Sequence, residues 1–283
     1  MSFATALDPE FPTRLRELGR VPAGLWYRGR LPAAREHGVA IVGSRAARLA
    51  GTRRTSAIAA ELAGAGYFVV SGGALGIDAA AHVGALEAGG VTFAVLGCGV
   101  DVVYPERHVH LFERVALAGG LLSEYPAGTP PRPGQFPVRN RIVAGLADAV
   151  IVVEAGRRSG ALITARLAVE LGRTLIAVPG SPGTDELLAA GLASPAEDGG
   201  EVLRRLAGEV VPPRRVPVPV QAQAPAEITP LLALLGDRSD NAAGIAQRLG
   251  VSLPAAPGVL AEAELSGWVR RLAGGRYEVP HGG

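Results

Sequence analysis

The stretch Val39-Ala40-Ile41-Val42-Gly43-Ser44-Arg45 is an uninterrupted apolar run that ends in a glycine and two polar residues. Such a run is typical of a strand that is buried on both faces of a sheet. Similar apolar runs alternate with longer alanine-rich stretches further along the chain, at 67–70, 92–96, 121–123, 149–153 and 174–178. The alternation predicts a doubly wound α/β fold, in which a Rossmann-like parallel sheet carries helices on both faces.

Composition divides the 283-residue chain into four parts. Residues 1–35 are predicted to be an N-terminal extension that packs on the core, and residues 36–208 to be the Rossmann-like domain. The proline-rich residues 209–227 predict an extended, semi-rigid linker. The last part, residues 228–283, is predicted to be a small winged-helix-like domain.

The winged-helix prediction rests on short helical patterns followed by a hairpin signal. The helical patterns lie at 229–235, 241–249 and 254–265. Two short runs then flank Gly274-Gly275, which is typical of a glycine turn between two strands. The third helical pattern contains no basic residue, so we expect this domain to make protein contacts or serve accessory roles rather than bind the major groove.

All 28 basic residues are arginine, and the chain contains no lysine. This excludes a phosphate-loop ATPase, which needs a Gly-Lys-Ser/Thr step, and Schiff-base catalysis, which needs an amine. The formal net charge of +2 is too small to predict a polyanionic partner by itself. A nucleic-acid site must therefore arise from local clustering of arginines.

The single cysteine, Cys98, excludes an internal disulfide and a multi-cysteine zinc site. It fits a reducing compartment, so we expect a cytoplasmic protein. No apolar run approaches the ~20 residues that a membrane helix needs, so no membrane segment is predicted. We also predict no cofactor and no metal.

Polar and glycine residues follow several of the predicted strands. They are Gly43, Ser44 and Arg45 after the first, Ser71 and Gly72 after the second, and Arg157, Arg158, Ser159 and Gly160 after the fifth. Loops after parallel strands lie at one edge of a sheet, so these residues are expected to converge and to hold an anion at helix starts. The alternative is that Gly43 makes only a tight turn and Arg45 is a solvated surface residue.

The segment Phe136-Pro-Val-Arg139-Asn140-Arg141 combines an aromatic ring with two guanidinium groups at a predicted helix start. This combination suits single-stranded nucleic acid, because the ring stacks on a base while the arginines hold phosphates. The alternative buries Phe136 and pairs the arginines with Glu124 or Glu154. The residues alone leave both interpretations open.

Four histidine and aspartate residues have simpler interpretations. Asp78 is expected to cap the helix that bears His82, and His82 to pack inside, because no nucleophile accompanies them. His108 and His110 are two residues apart in a predicted helix and diverge, so they are assigned to the surface.

The stretch Pro179-Gly-Ser-Pro-Gly-Thr-Asp-Glu186 predicts a loop that leads into a helix capped by Thr184. It also fits a Pro-Gly-x-x-Gly-Thr-x-Glu pattern found in nucleoside-monophosphate phosphoribohydrolases. A phosphoribohydrolase-like enzyme, with Glu186 acting at the sugar, is therefore our alternative function.

The ordered series of motifs resembles the DNA-processing protein A (DprA/Smf) family across roughly residues 25–192. The matching stretches are 40–45, 70–82, 94–99, Tyr104-Pro105, 123–126, 136–141, 159–164 and 178–180. The resemblance implies a non-catalytic protein that binds single-stranded DNA without sequence preference. It further implies protection of incoming DNA during natural transformation, loading of the RecA recombinase, and a homodimer formed through the Rossmann domain.

The resemblance also implies a DNA-binding set, with Arg45 and Arg139 on phosphate and Phe136 on a base. Family pockets commonly contain a lysine, for which Arg132, Arg157 or Arg158 is the expected substitute here. The full expected set is Gly43, Ser44, Arg45, Ser71, Gly72, Phe136, Arg139, Asn140, Arg141, Arg157, Ser159 and Gly160.

Overall fold

The computed structural model describes residues 1–207, 229–236, 239–249, 260, 263–264, 269–272 and 276–279. The chain divides into two compact units, one made of Met1–Pro131 with Arg139–Val216 and the other of Arg132–Val138 with Pro217–Gly283. The short segment Arg132–Val138, which we expected in the Rossmann-like part, therefore belongs to the second unit.

A nine-stranded, mostly parallel sheet forms the centre of the first unit. Its strands are β1 (Ser2–Thr5), β2 (Gly24–Gly29), β3 (Gly38–Val42), β4 (Phe68–Ser71), β5 (Thr92–Val95), β6 (Gly120–Ser123), β7 (Ala149–Val152), β8 (Thr174–Ala177) and β9 (Ser194–Pro195). They lie in the order β1-β2-β6-β5-β4-β3-β7-β8-β9, and every pairing from β6 to β9 is parallel. The predicted strands are thus confirmed, with small shifts at their ends.

Helices cover both faces of this sheet. They are α1 (Leu49–Gly64), α2 (Ile77–Glu87), α3 (Val109–Ala118), α4 (Gln135–Leu146), α5 (Gly160–Glu170), α6 (Pro182–Ala189) and α7 (Gly199–Leu206). Apolar residues of α1, α2 and α7 pack on one face, and those of α4, α5 and α6 pack on the other. Alternate residues of β3 serve the two cores: Val39 and Ile41 face α1, while Ala40 and Val42 face the opposite layer. The doubly wound prediction is confirmed.

The first residues of the chain extend the sheet. Strand β2 pairs antiparallel with β6, and β1 pairs antiparallel with β2. Between them, Phe11 and Leu15 are fully buried in the core that contains α4. Two ion pairs fasten this region to the core: Arg14 Nη1 lies 2.5 Å from Asp148 Oδ1, and Arg173 Nη2 lies 2.8 Å from Glu17 Oε2.

The second unit contains α8 (Thr229–Leu235), α9 (Ala242–Leu249) and the strands β10 (Asp240–Asn241), β11 (Arg270–Arg271) and β12 (Arg276–Glu278). The strands form an antiparallel sheet in the order β10-β12-β11. Apolar residues of α8 and α9 share a core with Tyr277. The predicted linker at 209–227 and most of the helix predicted at 254–265 lie outside the described residues, so the winged helix stays a prediction.

Candidate nucleic-acid interface

Strand order reverses between β3 and β7. From β3 the chain moves outward through β4, β5 and β6, and it then returns to β7 on the other side of β3. Loops at the carboxyl ends of strands diverge at such a point and leave a crevice, where open α/β sheets bind ligands. The loops after β3, β4, β7 and β8, here called the rim, meet at this edge of the sheet.

Backbone hydrogen bonds join the loops of the rim. The Ser44 N–H donates to the Glu154 carbonyl at 2.7 Å, and the Ile77 N–H donates to the Ser44 carbonyl at 3.2 Å. The Gly183 N–H donates to the Ala155 carbonyl at 2.8 Å. Loops far apart in sequence are therefore fixed against one another, as the sequence predicts.

The loop after β3 is longer than expected. Helix α1 begins at Leu49, with Arg48 at its N-cap, so the helix start is several residues beyond Ser44. Because the Ser44 N–H already donates to Glu154, it cannot also meet an anion. Arg45 is exposed at this loop.

Arg48 spans the rim, and sequence reasoning missed it. Its Nε lies 3.6 Å from Glu154 Oε2, and its Nη2 donates to the Gly180 carbonyl at 3.1 Å. The side chain remains 71% exposed. In the sequence, the only sign that Arg48 belongs to this loop is that it follows Arg45 by three residues.

The loop after β7 brings together four residues of the expected set, Asn140, Arg157, Ser159 and Gly160. Ser159 is the N-cap of α5 and accepts a hydrogen bond from the Ala161 N–H at 3.3 Å. Asn140 Nδ2 donates to the Gly160 carbonyl at 3.3 Å. In the same loop, Arg157 and Arg158 are exposed, and Arg157 Nε lies 2.9 Å from Glu186 Oε1.

The structure places Arg139 inside the protein, whereas we expected it at the DNA surface. Its side chain is 4% exposed, and Nη1 donates to the carbonyls of Gly72, at 2.5 Å, and Val95. Burial lowers the pKa of Arg139 to about 10, so the guanidinium keeps its charge at neutral pH.

Arg141 also points inward. It is 6% exposed, bonds both oxygens of Glu124, and donates from Nε to the Arg20 carbonyl at 3.0 Å. Helix periodicity explains the divergence, because residues two apart point to opposite sides of a helix. The pairing with Glu124 is the alternative that the sequence left open. Phe136 lies in the first turn of α4 and is partly buried.

Ser71 and Gly72 are also engaged by the protein. Ser71 is fully buried and its hydroxyl donates to the Ile41 carbonyl at 2.6 Å. The Gly72 N–H donates to Asp78 Oδ2 at 3.1 Å, while its carbonyl accepts from Arg139. The polar groups of these two residues are therefore used inside the protein, where they help to position the rim.

Asp78 ties down the loop before its helix. Its Oδ2 accepts from the N–H groups of Gly72 and Ala74, at 3.1 and 3.3 Å, and burial raises the pKa of the carboxyl. The Gly76 residue, not Asp78, occupies the N-cap of α2. The expected capping role is corrected: the carboxylate holds the loop that precedes the helix.

The histidines divide into two environments. His82 is fully buried as predicted, with Nδ1 2.7 Å from Thr92 Oγ1, and burial lowers its pKa to about 3. The surface assignment of His108 was wrong, since it is 7% exposed and its Nδ1 lies 3.0 Å from the Gly73 carbonyl. A short 3-10 turn before α3 aims that ring at the loop after β4. His110 is exposed as expected.

The helix start after β8 differs by a few residues from the prediction. Ser181 is the N-cap of α6, and Thr184 is three residues further, with its hydroxyl 2.7 Å from Ser181 Oγ. The Ser181 hydroxyl also accepts from the Ala155 N–H at 3.0 Å. This capping network fixes the loops after β7 and β8 to each other.

The accessible charge of the rim comes from Arg45, Arg48, Arg157 and Arg158, all of which are exposed. Planar guanidinium groups match phosphate oxygens in paired hydrogen bonds. Within the described ranges, no cluster of three His, Cys, Asp or Glu side chains could hold a metal ion. No helix in the described part of the chain has both the length and the apolar character to cross a membrane.

Comparison with known proteins gives consistent matches. A family model described as DNA recombination-mediator protein A matches residues 2–207. Protein Smf of Synechocystis sp. is 45% identical over 205 residues, covering 71% of this chain and 51% of that protein. Protein Smf of Escherichia coli is 37% identical over 281 residues, covering 95% of this chain and 75% of that protein. The chain thus spans about half the length of the Synechocystis relative.

Two solved structures share the fold. DNA processing protein A from Streptococcus pneumoniae superposes with a TM-score of 0.68 at 40% identity, covering 72% of this chain and 73% of that one. DNA processing protein A from Helicobacter pylori superposes with a TM-score of 0.66 at 32% identity, covering 74% of this chain and 97% of that one. The Helicobacter structure was described for its single-stranded DNA binding mode.

Proposed function

Because the chain belongs to the DNA recombination-mediator protein A family, we propose that it binds single-stranded DNA without sequence preference and acts on that strand as a recombination mediator. The observation that carries the proposal is the group of exposed arginines at the rim, where the strand order reverses. The relative from Helicobacter pylori, described for single-stranded DNA binding, supports the choice of ligand.

In the proposed complex, Arg45 and Arg157 hold phosphates, with Arg48 and Arg158 as further cations. Gly43 and Ser44 form the start of the loop that carries Arg45 to the strand, and Asn140, Ser159 and Gly160 form the adjoining wall. Phe136, in the first turn of α4, is proposed to stack on a base. Backbone contacts of this kind carry no sequence information, so affinity is expected to be similar for all sequences.

The proposed cellular role rests on the same family membership. The protein is proposed to protect incoming strands in natural transformation and to load the RecA recombinase on them, in the cytoplasm and as a homodimer formed through the Rossmann domain. No catalytic step is proposed. The phosphoribohydrolase alternative is not favoured, because the Streptococcus pneumoniae relative is a DNA processing protein and Glu186 is paired with Arg157.

Fluorescence anisotropy with labelled single-stranded and hairpin duplex oligonucleotides, at several salt concentrations, tests the proposal. Single strands should bind more tightly, and the logarithm of affinity should fall with the logarithm of salt at a slope of about −0.7 per phosphate contacted. Arg45→Ala and Arg157→Ala should each weaken binding for every sequence and reduce the slope by about 0.7.

Two further variants complete the test. Phe136→Ala should cost ~1–3 kcal/mol through lost stacking. Arg114→Ala is the matched control, because Arg114 is exposed on α3 and lies outside the four loops of the rim. A salt-independent affinity, or equal losses for Arg114→Ala and Arg45→Ala, would contradict the proposal.

A further inference from the structure

We propose that Arg139 is a positioning residue, which shapes the loop bearing Arg45 from inside the protein and does not contact DNA phosphate. The inference rests on the proposed function and assigns a different role to a residue whose motif suggested phosphate binding. Its side chain is 4% exposed, and its guanidinium donates to the carbonyls of Gly72 and Val95, at the ends of β4 and β5.

The space around the guanidinium is filled by protein. A Cβ added at Gly72 would lie 2.5 Å from Arg139 Nη2 and 2.6 Å from Asp78 Oδ2. Arg139 and Asp78 thus press directly against the Gly72 backbone, and only glycine fits between them. A phosphate cannot reach the guanidinium without displacing this packing.

Asp78 provides the balancing charge. It accepts from the N–H groups of Gly72 and Ala74, and it is near enough to Arg139 for the two charges to act on each other. Together the two side chains hold the loop 72–76 by both its donors and its acceptors. A buried arginine beside a buried carboxylate needs hydrogen bonds to be stable. Here Arg139 Nη1 donates to two carbonyls, and Asp78 accepts from two backbone N–H groups.

The loop 72–76 in turn supports the loop after β3. Gly76 has a φ of +75°, and a Cβ there would lie 2.3 Å from the Ser44 carbonyl oxygen. The Ile77 N–H donates to that same oxygen at 3.2 Å. A Cβ at Gly43 would lie 2.6 Å from Ile77 Cγ1. A continuous chain of contacts therefore runs from Arg139 through Asp78 and α2 to the backbone next to Arg45.

The charges agree with this route. The Arg45 charge acts to lower the pKa of both Asp78 and Arg139, as expected for a guanidinium within electrostatic reach of the buried pair. The Asp78 charge acts on Arg139 in the opposite direction to the Arg45 charge, so Asp78 counteracts the repulsion between the two arginines. Arg45 is then the phosphate contact, and Arg139 sets where it lies.

Hydrogen exchange on the free protein tests the positioning. Arg139→Gln should speed amide exchange at Gly72, Ala74 and Ile77, because their acceptors lose support. The matched control is Arg173→Gln, which breaks the half-buried pair with Glu17 at the opposite edge of the sheet. That variant should leave exchange at the three amides unchanged. Unchanged exchange in Arg139→Gln would overturn the proposal.

A double-mutant cycle with Arg45 tests the consequence for DNA. Arg139→Gln should weaken single-strand binding about tenfold alone but less than about twofold in the Arg45→Ala background, because both changes remove the same contact. If the affinity losses of the two single variants multiply in the double variant, or if Arg139→Gln alone causes no loss, then Arg139 does not act through Arg45. Arg173→Gln should lower stability yet leave affinity and the cycle unaffected.

Two further outcomes need their own interpretation: a variant that does not fold, and a wild type that does not bind DNA. If Arg139→Gln does not fold, Arg139→Lys, which keeps the charge but lacks the planar fork, should show the same exchange pattern and coupling with a smaller loss. A wild-type chain that binds no single strands would overturn the proposed function, whereas the exchange data alone would still decide whether Arg139 holds the loop.

Discussion

Arg141 and Glu124 meet in a two-bond ion pair, with Nη1 2.6 Å from Oε1 and Nη2 2.7 Å from Oε2. Their side chains are only 7% and 15% exposed. The pair joins α4 to the residue that follows β6, and Arg141 also reaches the Arg20 carbonyl. It is therefore a structural fastening between the helix, the sheet and the first residues of the chain.

Glu124→Gln is expected to lower the free energy of unfolding by ~3–5 kcal/mol, because it leaves the Arg141 charge buried without its partner. Urea unfolding followed by circular dichroism measures the change. The control is Glu197→Gln, which removes an exposed pair with Arg54 at 3.8 Å and should cost less than ~1 kcal/mol. Equal losses in the two variants would show that the buried pair contributes no more than a surface pair.

His82 should make stability depend on pH. Its folded pKa of about 3 lies below the ordinary value of 6.5, so between these values the unfolded chain binds a proton that the folded chain does not. The free energy of unfolding should therefore fall as pH drops below about 6.5, by up to ~1.4 kcal/mol per unit from this group.

Urea midpoints measured from pH 7 to pH 4 for the wild type and His82→Gln check this expectation. The variant has no titrating group at this position, so its curve should be flatter, and the stability difference between the two proteins should change steadily as pH falls. Parallel curves would mean that His82 takes up its proton equally in both states.

Two glycines in the α1–α2 layer should respond oppositely to alanine. A Cβ at Gly84 on α2 would lie 2.1 Å from the Ser56 carbonyl oxygen on α1, whereas a Cβ at Gly64 meets nothing within 4 Å. Gly84→Ala should destabilise the protein by ~1–3 kcal/mol by pushing the helices apart. Gly64→Ala should stabilise it by ~0.4–1 kcal/mol by reducing the entropy of the unfolded chain. Thermal unfolding of both variants gives the comparison, and the same sign for both would contradict it.

Glu186→Gln is expected to strengthen single-strand binding by roughly two- to fivefold at low salt, since it removes a negative charge beside Arg157. Anisotropy titrations at two salt concentrations measure the gain, which should shrink at the higher one. Glu113→Gln, an exposed change on α3, is the control. The Glu186→Gln variant also tests the enzyme alternative. Release of adenine from AMP by the wild type, and loss of that release in the variant, would favour the phosphoribohydrolase.

The sequence predicted the parallel sheet well, because the strands from β3 to β8 are buried on both faces and so appear as continuous apolar runs. Strand β2, Gly-Leu-Trp-Tyr-Arg-Gly, was missed. Its residues change from buried to exposed along the strand, and the strand pairs antiparallel near the edge of the sheet. Neither apolar continuity nor strict alternation marks such a strand.

At the rim, the sequence indicated which loops meet but not which way each side chain points. Arg139 and Arg141 belong to one polar motif, yet both are buried against different partners. A buried arginine has the same appearance in a sequence as an exposed one, and only its carbonyl and carboxylate partners reveal the difference. His108 was misassigned for the same reason, since its acceptor, the Gly73 carbonyl, lies far away in the sequence.

The pairing of β2 with β6 has a practical consequence for anyone who shortens this protein. A fragment that starts at residue 36 would lose β1 and β2 and would leave the apolar strand Gly120–Ser123 as a bare outer strand. Unpaired strands of this kind join other chains readily, so the fragment should aggregate. The first thirty or so residues are thus the protective border of the sheet and need to be kept in any truncated version.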